Sequence, residues 1–279
     1  MQTPLEFFVR GKSCLLSGEP YKSLGAYAKA LQISLKEQDV KLALNTINEF
    51  TNQEQLIGYD WIRKLLQIGL AVKFPATNGG AAALEQLKEL ASTNYQPLEE
   101  PIIIVAGGCN VDVESQMRNY RGFILDVFRE FKGTIISGGT TAGISGLIGE
   151  AQQKSPITMR TIGYVPKPKT DLIDKRYREI RFTDGEKYSP LEPLQYWIDI
   201  IASGIKSVDV KLLGINGGRI SSFEYRIALA LGAQVVIIQD SGMEADKLLL
   251  DKDWNLSKNL IFLPADSNKT QKFIKTARG

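Results

Sequence analysis

The sequence predicts an α/β protein: a Rossmann-like parallel sheet with helices on both faces, preceded by an all-helical, repeat-like domain. Three observations carry this. Apolar residues recur at helical spacing up to about residue 95. A proline-bracketed stretch, Tyr95-Gln-Pro-Leu-Glu-Glu-Pro101, then marks a change of pattern. Beyond it, short Ile/Val runs alternate with helical segments, as strands buried on both faces of a parallel sheet require.

In the first part, helices are expected over Leu5–Leu16, Tyr21–Leu35, Val40–Phe50, Glu54–Phe74 and Ala81–Ala91. Breaks fall at Gly18-Glu-Pro20, Thr51-Asn52 and Pro75-Ala-Thr-Asn-Gly-Gly80. Gly25, Ala26 and Ala30 interleave with Tyr21, Leu24, Tyr27 and Leu31, as close helix packing needs, so residues 1–95 read as tetratricopeptide-like. An ordinary helical bundle is the alternative.

The second domain, 101–279, offers strands at Ile102–Ala106, Gly133–Ser137, Thr161–Val165, Arg178–Phe182, Val210–Ile215, Gln234–Gln239 and Asn259–Leu263. Helices are expected over Ser115–Phe131, Ala142–Lys154, Leu191–Ile205, Ser222–Leu231, Glu244–Leu250 and Asn268–Thr276. Tyr196 and Trp197 fall in an apolar helical pattern and read as core.

Composition limits function. Hydrophobic residues make up 43% of the 279, charged residues 23%, and the net charge is +3, with no long basic run to grip nucleic acid. No apolar run reaches the roughly 18 residues of a membrane span, and the start lacks a secretory pattern. Two distant cysteines, Cys14 and Cys109, fit a reducing cytoplasm and no metal framework. The absence of histidine excludes Ser-His-Asp and Cys-His catalysis and the commonest zinc sets. Neither a metal nor a cofactor is expected.

Three strand–Gly-Gly–helix turns then stand out: Ala106-Gly-Gly-Cys-Asn110, Ser137-Gly-Gly-Thr-Thr-Ala-Gly143 and Asn216-Gly-Gly-Arg-Ile-Ser-Ser-Phe-Glu224. A strand emptying through glycines into a helix start presents free amides and a positive helix end, which suits phosphate. Gly107, Gly108, Gly138, Gly139, Thr140, Thr141, Gly217, Gly218 and Ser221 are therefore candidate ligand contacts. Arg219 is a candidate phosphate partner or a solvated side chain. Glu224 could hold ribose hydroxyls, stabilise an oxocarbenium-like transition state, or merely cap its helix. A fourth turn, Gln239-Asp-Ser-Gly242, adds Ser241 and Gly242. Lys167 and Tyr188, on polar loops, are candidates for a charge partner and a stacking platform. Neither the P-loop lysine nor G-x-G-x-x-G is present.

On these four turns, residues from about 101 to 265 resemble the SLOG superfamily, Rossmann-like domains named for the Smf/DprA and LOG proteins. The closest branch is the prokaryotic relatives of the nucleotide-sensing region of TRPM channels. LOG enzymes carry Pro-Gly-Gly-x-Gly-Thr-x-x-Glu; here Gly217, Gly218, Ser221 and Glu224 match, while Asn216 replaces the proline and Ile220 a glycine. The resemblance implies a site for an ADP-ribose-like or cyclic nucleotide. It also implies a cytoplasmic defence or signalling sensor, assembling as a homo-oligomer or acting on an effector protein through the helical domain. The alternatives are an N-ribosyl hydrolase using Glu224 and an interaction scaffold with a vestigial pocket.

Overall fold

The computed structural model describes residues 3–51, 53–92, 94–109, 113–167 and 172–276. Five helices come first: α1 (Pro4–Leu16), α2 (Pro20–Ile33), α3 (Glu37–Asn48), α4 (Tyr59–Lys73) and α5 (Asn78–Leu90). Pro4 and Pro20 occupy first-turn positions, where no amide hydrogen is needed. Thr3 and Thr77 cap α1 and α5 by accepting from the amides of Glu6 and Gly80 at 3.3 and 3.1 Å.

The rest is one sheet of seven parallel strands. These are β1 (Ile102–Gly107), β2 (Gly133–Ser137), β3 (Met159–Pro166), β4 (Glu179–Thr183), β5 (Lys211–Ile215), β6 (Gln234–Ile238) and β7 (Leu260–Leu263), in the order β4-β3-β2-β1-β5-β6-β7. The intervening helices are α6 (Glu114–Arg118), α7 (Arg121–Phe128), α8 (Gly143–Lys154), α9 (Leu191–Ala202), α10 (Arg219–Leu231), α11 (Met243–Leu250) and α12 (Ser267–Lys275). The single helix expected over Ser115–Phe131 is two. The amides of Asn119 and Tyr120 bond three residues back, to Gln116 and Met117, so the ladder tightens and breaks there. The helix expected from Ser222 begins earlier, at Arg219. Asn110 and residues 277–279 lie outside the described residues.

Alternate residues of each strand serve opposite faces. Ile103 and Val105 of β1 pack with α7, α8 and α12, whereas Ile102, Ile104 and Ala106 pack with α9 and α10. The second face is the one the N-terminal helices join: Tyr27, Leu31, Ile62 and Leu66 belong to the same core as Trp197 and Phe223. Helical region and sheet thus share one continuous core.

The connecting stretch is pinned. Arg181 and Asp199, each 2% exposed, pair at 2.8 Å. Asp199 also accepts from the Tyr164 hydroxyl at 2.7 Å, from Gln195 at 3.0 Å and from the Ser92 amide at 2.9 Å. Arg181 donates to the Gln96 carbonyl at 2.6 Å and lies over the Tyr95 ring. Leu98 donates its amide to Ser203 Oγ at 2.9 Å. Each charge is fully partnered, as burial demands.

Removing one partner tests this anchor. Asp199→Ala leaves Arg181 Nη1, the Tyr164 hydroxyl and the Ser92 amide without their acceptor, while Glu179 still pairs with Arg181 Nε at 2.6 Å. It is expected to lower the unfolding free energy by about 1–3 kcal/mol, read from urea denaturation. A midpoint equal to wild type would mean that the pair holds nothing together.

Candidate functional site

In an open parallel sheet, ligands bind beyond the carboxyl ends of the strands where strand order reverses. Here that point lies between β1 and β5. A cavity of about 630 Å³ opens there, walled by Gly107 and Gly108 after β1, by Gly138, Thr140 and Thr141 after β2, and by Gly218 to Ser221 after β5.

The β5–α10 turn is built around Asn216, which is fully buried and left-handed, with φ 61°. Asparagine tolerates this region better than other non-glycine residues. Every polar atom of it is engaged. Its amide donates to Ser241 Oγ at 2.8 Å, and its Nδ2 to the Ser241 carbonyl at 2.7 Å. Its Oδ1 accepts from the Gly217 amide at 2.8 Å, and its carbonyl from the Tyr225 hydroxyl at 3.1 Å and the Ala245 amide at 3.0 Å. Gly217 follows at φ 94°, where a Cβ would also strike Ser221.

Gly218 then caps α10 without a side chain, and the first amide to find a backbone acceptor is that of Ser222, bonded to the Gly218 carbonyl at 2.9 Å. The turn at Arg219–Ser221 faces the cavity with its amides open. A Cβ on Gly218 would meet nothing within 4 Å, so the backbone is approachable. Arg219 is exposed, lines the cavity and makes no ion pair among the described residues.

The β2–α8 turn differs. The Gly143 amide donates to Glu114 Oε2 at 2.7 Å and the Ile144 amide to the Gly108 carbonyl at 3.0 Å, so the start of α8 already holds an internal carboxylate. Thr140 lines the cavity, and its buried Oγ1 has no hydrogen-bond partner among the described residues. Gly139 packs against Gly163 beneath the turn, outside the cavity lining.

Of the remaining expected residues, Ser241, Gly242 and Lys167 are not among those lining the cavity. Ser241 is fully buried as the brace of Asn216, and the Gly242 amide donates to Asp246 at 2.9 Å. Lys167 is exposed and paired with Asp184. Tyr188 does line the cavity, its hydroxyl donating to the Gly138 carbonyl at 3.1 Å.

Glu224 accepts from the Tyr196 hydroxyl at 3.3 Å. Desolvation pushes its carboxyl up to about 7, against hydrogen bonds from Tyr196 and Ser221 and with help from the charge of Glu192. Glu192 lines the same cavity, accepts from the Ser189 amide at 2.7 Å and from Thr183 Oγ1, and is likewise raised by burial. Sequence reasoning missed Glu192 and took Tyr196 for core alone. Tyr196 is buried with Trp197, yet its hydroxyl side reaches the cavity. The four-residue spacing of Glu192 and Tyr196 on α9 was the available signal, since it places both on one helix face. Tyr21, from α2, also lines the cavity, and no local pattern marks it.

A family model described as "SLOG in TRPM, prokaryote" matches residues 100–276. No curated protein matches the chain. Among solved structures, the X-ray structure of TM1055, a structural-genomics target, is 15% identical, with a TM-score of 0.49 over 63% of this chain and 99% of that one. The molybdenum cofactor carrier protein of Chlamydomonas reinhardtii is 19% identical, with a TM-score of 0.46 over 63% of this chain and 97% of that one.

The raised Glu224 carboxyl has a consequence for stability. From the unfolded value near 4.3 up to about 7, the folded chain binds this proton more tightly than the unfolded chain. Stability contributed below that window is therefore lost as pH rises through it. Glu224→Gln is expected to flatten the fall in urea midpoint between pH 5 and pH 8; an unaltered slope would show that the carboxyl is not raised.

Proposed function

The chain belongs to the family described as "SLOG in TRPM, prokaryote", and we propose that it is a sensor for a nucleotide-derived signal, of the ADP-ribose or cyclic-nucleotide kind. The observation that carries this is the open start of α10, with Arg219 unpaired among the described residues, on a cavity that Thr140 also lines. Amides at a helix start and a free guanidinium suit a phosphate. The Thr140 hydroxyl, without a partner among the described residues, reaches such a ligand by rotation about its Cα–Cβ bond. At about 630 Å³ the cavity is of ordinary small-molecule size. The tetratricopeptide-like helical region is then the part that carries the response, through homo-oligomer assembly or an effector protein, in a defence or signalling system in the cytoplasm.

A second reading, N-ribosyl hydrolysis, is favoured by Glu224, a carboxyl poised near neutrality at the cavity wall. Asn216 weighs against it. At φ 61° this position excludes proline, whose ring holds φ near −65°. The turn therefore departs from the Pro-Gly-Gly of LOG enzymes in geometry as well as in letters.

Calorimetry against ADP-ribose, cyclic ADP-ribose and AMP, with product detection after long incubation, separates the readings. Thr140→Val should leave the unfolding midpoint unchanged or higher while weakening the ligand by about twofold to tenfold, the worth of one hydrogen bond. Absence of binding to wild type, or equal binding by Thr140→Val and Glu224→Ala, defeats the sensor reading. Release of free base would favour the hydrolase.

A further inference from the structure

The nucleotide cavity is not closed by the sheet domain alone. Helix α2 of the N-terminal region packs along α10, while α4 and α5 pack on α9. Those are the two helices that carry Arg219 and Glu224 on one side and Glu192 and Tyr196 on the other. In the first turn of α2 stands Tyr21, half-buried, with its ring 5.7 Å from that of Trp61 at 58°. Its neighbour Pro20 is held against Gly58 at the start of α4. Tyr21 is thus fixed by the helical region while it faces the sheet domain's site.

Beside the 630 Å³ cavity lies another of about 560 Å³, walled by α1 and α2 on one side and by Ser222 and Arg226 of α10 on the other. Tyr21 and Arg219 line both. The other cations of the outer cavity are spoken for: Arg226 pairs with Asp251 at 2.7 Å, Lys22 with Glu19 at 2.6 Å and Arg10 with Asp253 at 3.5 Å. Arg219 alone of them has no ion-pair partner among the described residues, and it sits where the two spaces adjoin. The Tyr21 hydroxyl makes no hydrogen bond among the described residues, and the charges it feels are those of Arg219 and Glu192.

We propose that the helical region completes the ligand site, with Tyr21 as a ligand-contacting, specificity-determining residue at a throat between two cavities. The ligand class it selects is a nucleotide that carries a further group beyond its phosphates, as a nucleoside diphosphate sugar does. The nucleoside occupies the inner cavity, the phosphate meets Arg219 and the start of α10, and the group beyond passes the Tyr21 ring into the outer space. This inference rests on the nucleotide-binding reading above and adds to it which end of the ligand the helical region reads.

The test uses the full chain, with ADP-ribose and AMP as probes in calorimetry. Wild type should bind ADP-ribose at least about tenfold more tightly than AMP. Tyr21→Leu keeps an apolar side chain against Trp61; it should remove most of that preference and leave AMP within about twofold of wild type. Tyr21→Phe, which keeps the ring, should retain the preference. Hydrogen exchange on the wild type guards against a variant that fails to fold: ADP-ribose should slow the amides of residues 21–25 more than AMP does. An unchanged preference in a folded Tyr21→Leu, equal affinities in wild type, or equal protection by both ligands overturns the inference and leaves nucleotide binding standing. Binding of neither nucleotide overturns both.

Discussion

The site depends on one left-handed residue. Asn216 ends β5 at φ 61°, a conformation that costs about 1–2 kcal/mol in most side chains. It persists because the surroundings over-determine it. Ser241 receives its amide, Gln116 meets its side chain at 3.3 Å, Tyr225 ties back to its carbonyl and Ala245 starts α11 from the same carbonyl. One buried residue, through its backbone and its side chain, therefore sets the end of a central strand and the starts of two helices. The direction of α10, and with it the place of Arg219, Ser221 and Glu224, follows from that knot.

Among the sheet-domain helices at the cavity, α8, α9, α10 and α11 differ in who receives their first amides. At α8 the acceptors are Glu114 and the Gly108 carbonyl; at α11 they are the carbonyls of Gly217 and Asn216. At α9 the carboxylate of Glu192 takes the preceding Ser189 amide. Of these four, α10 leaves its opening amides without an acceptor among the described residues. Lysines close helix ends elsewhere: Lys73 donates to the last carbonyls of α2, and Lys211 to those of α12, at distances that include 2.8 and 2.9 Å.

Much of this was legible in the sequence, and the limits are physical. Strand positions could be read closely because a parallel strand covered on both faces must be a continuous apolar run; Gly133–Ser137 falls where it was expected. The glycine turns were legible for a local reason, since backbone φ is a local property. Which turn stays open was not, because Glu114, which fills the start of α8, lies 29 residues away in sequence. Ser241 and Gly242 marked a turn correctly, while the role of Ser241 depends on Asn216, 25 residues off. Tyr21 was invisible for the same reason: its place at the cavity is decided by packing of α2 on α10, which no window of sequence contains.

The anchoring of the connecting stretch decides how ligand and helical region can communicate. A linker bracketed by Pro97 and Pro101 would ordinarily permit a swing of one part against the other. Here Arg181 holds the Gln96 carbonyl, Asp199 holds the Ser92 amide and Ser203 holds the Leu98 amide, all from the sheet domain. The shared core adds a second restraint, since Tyr27 and Leu31 of α2 are buried with Phe223 and Ile227 of α10. A hinge at the linker would have to expose that core and strip the Arg181–Asp199 pair of its partners. If a ligand fills the space between them, as proposed, the cheaper response is local: the start of α2, with Tyr21 and Pro20, shifts against the start of α10. Packed helices respond to a sub-ångström change in this way, by repacking a contact that has discrete arrangements. On the proposed sensor reading, communication thus belongs to the α2–α10 contact, where the helical region meets the start of α10.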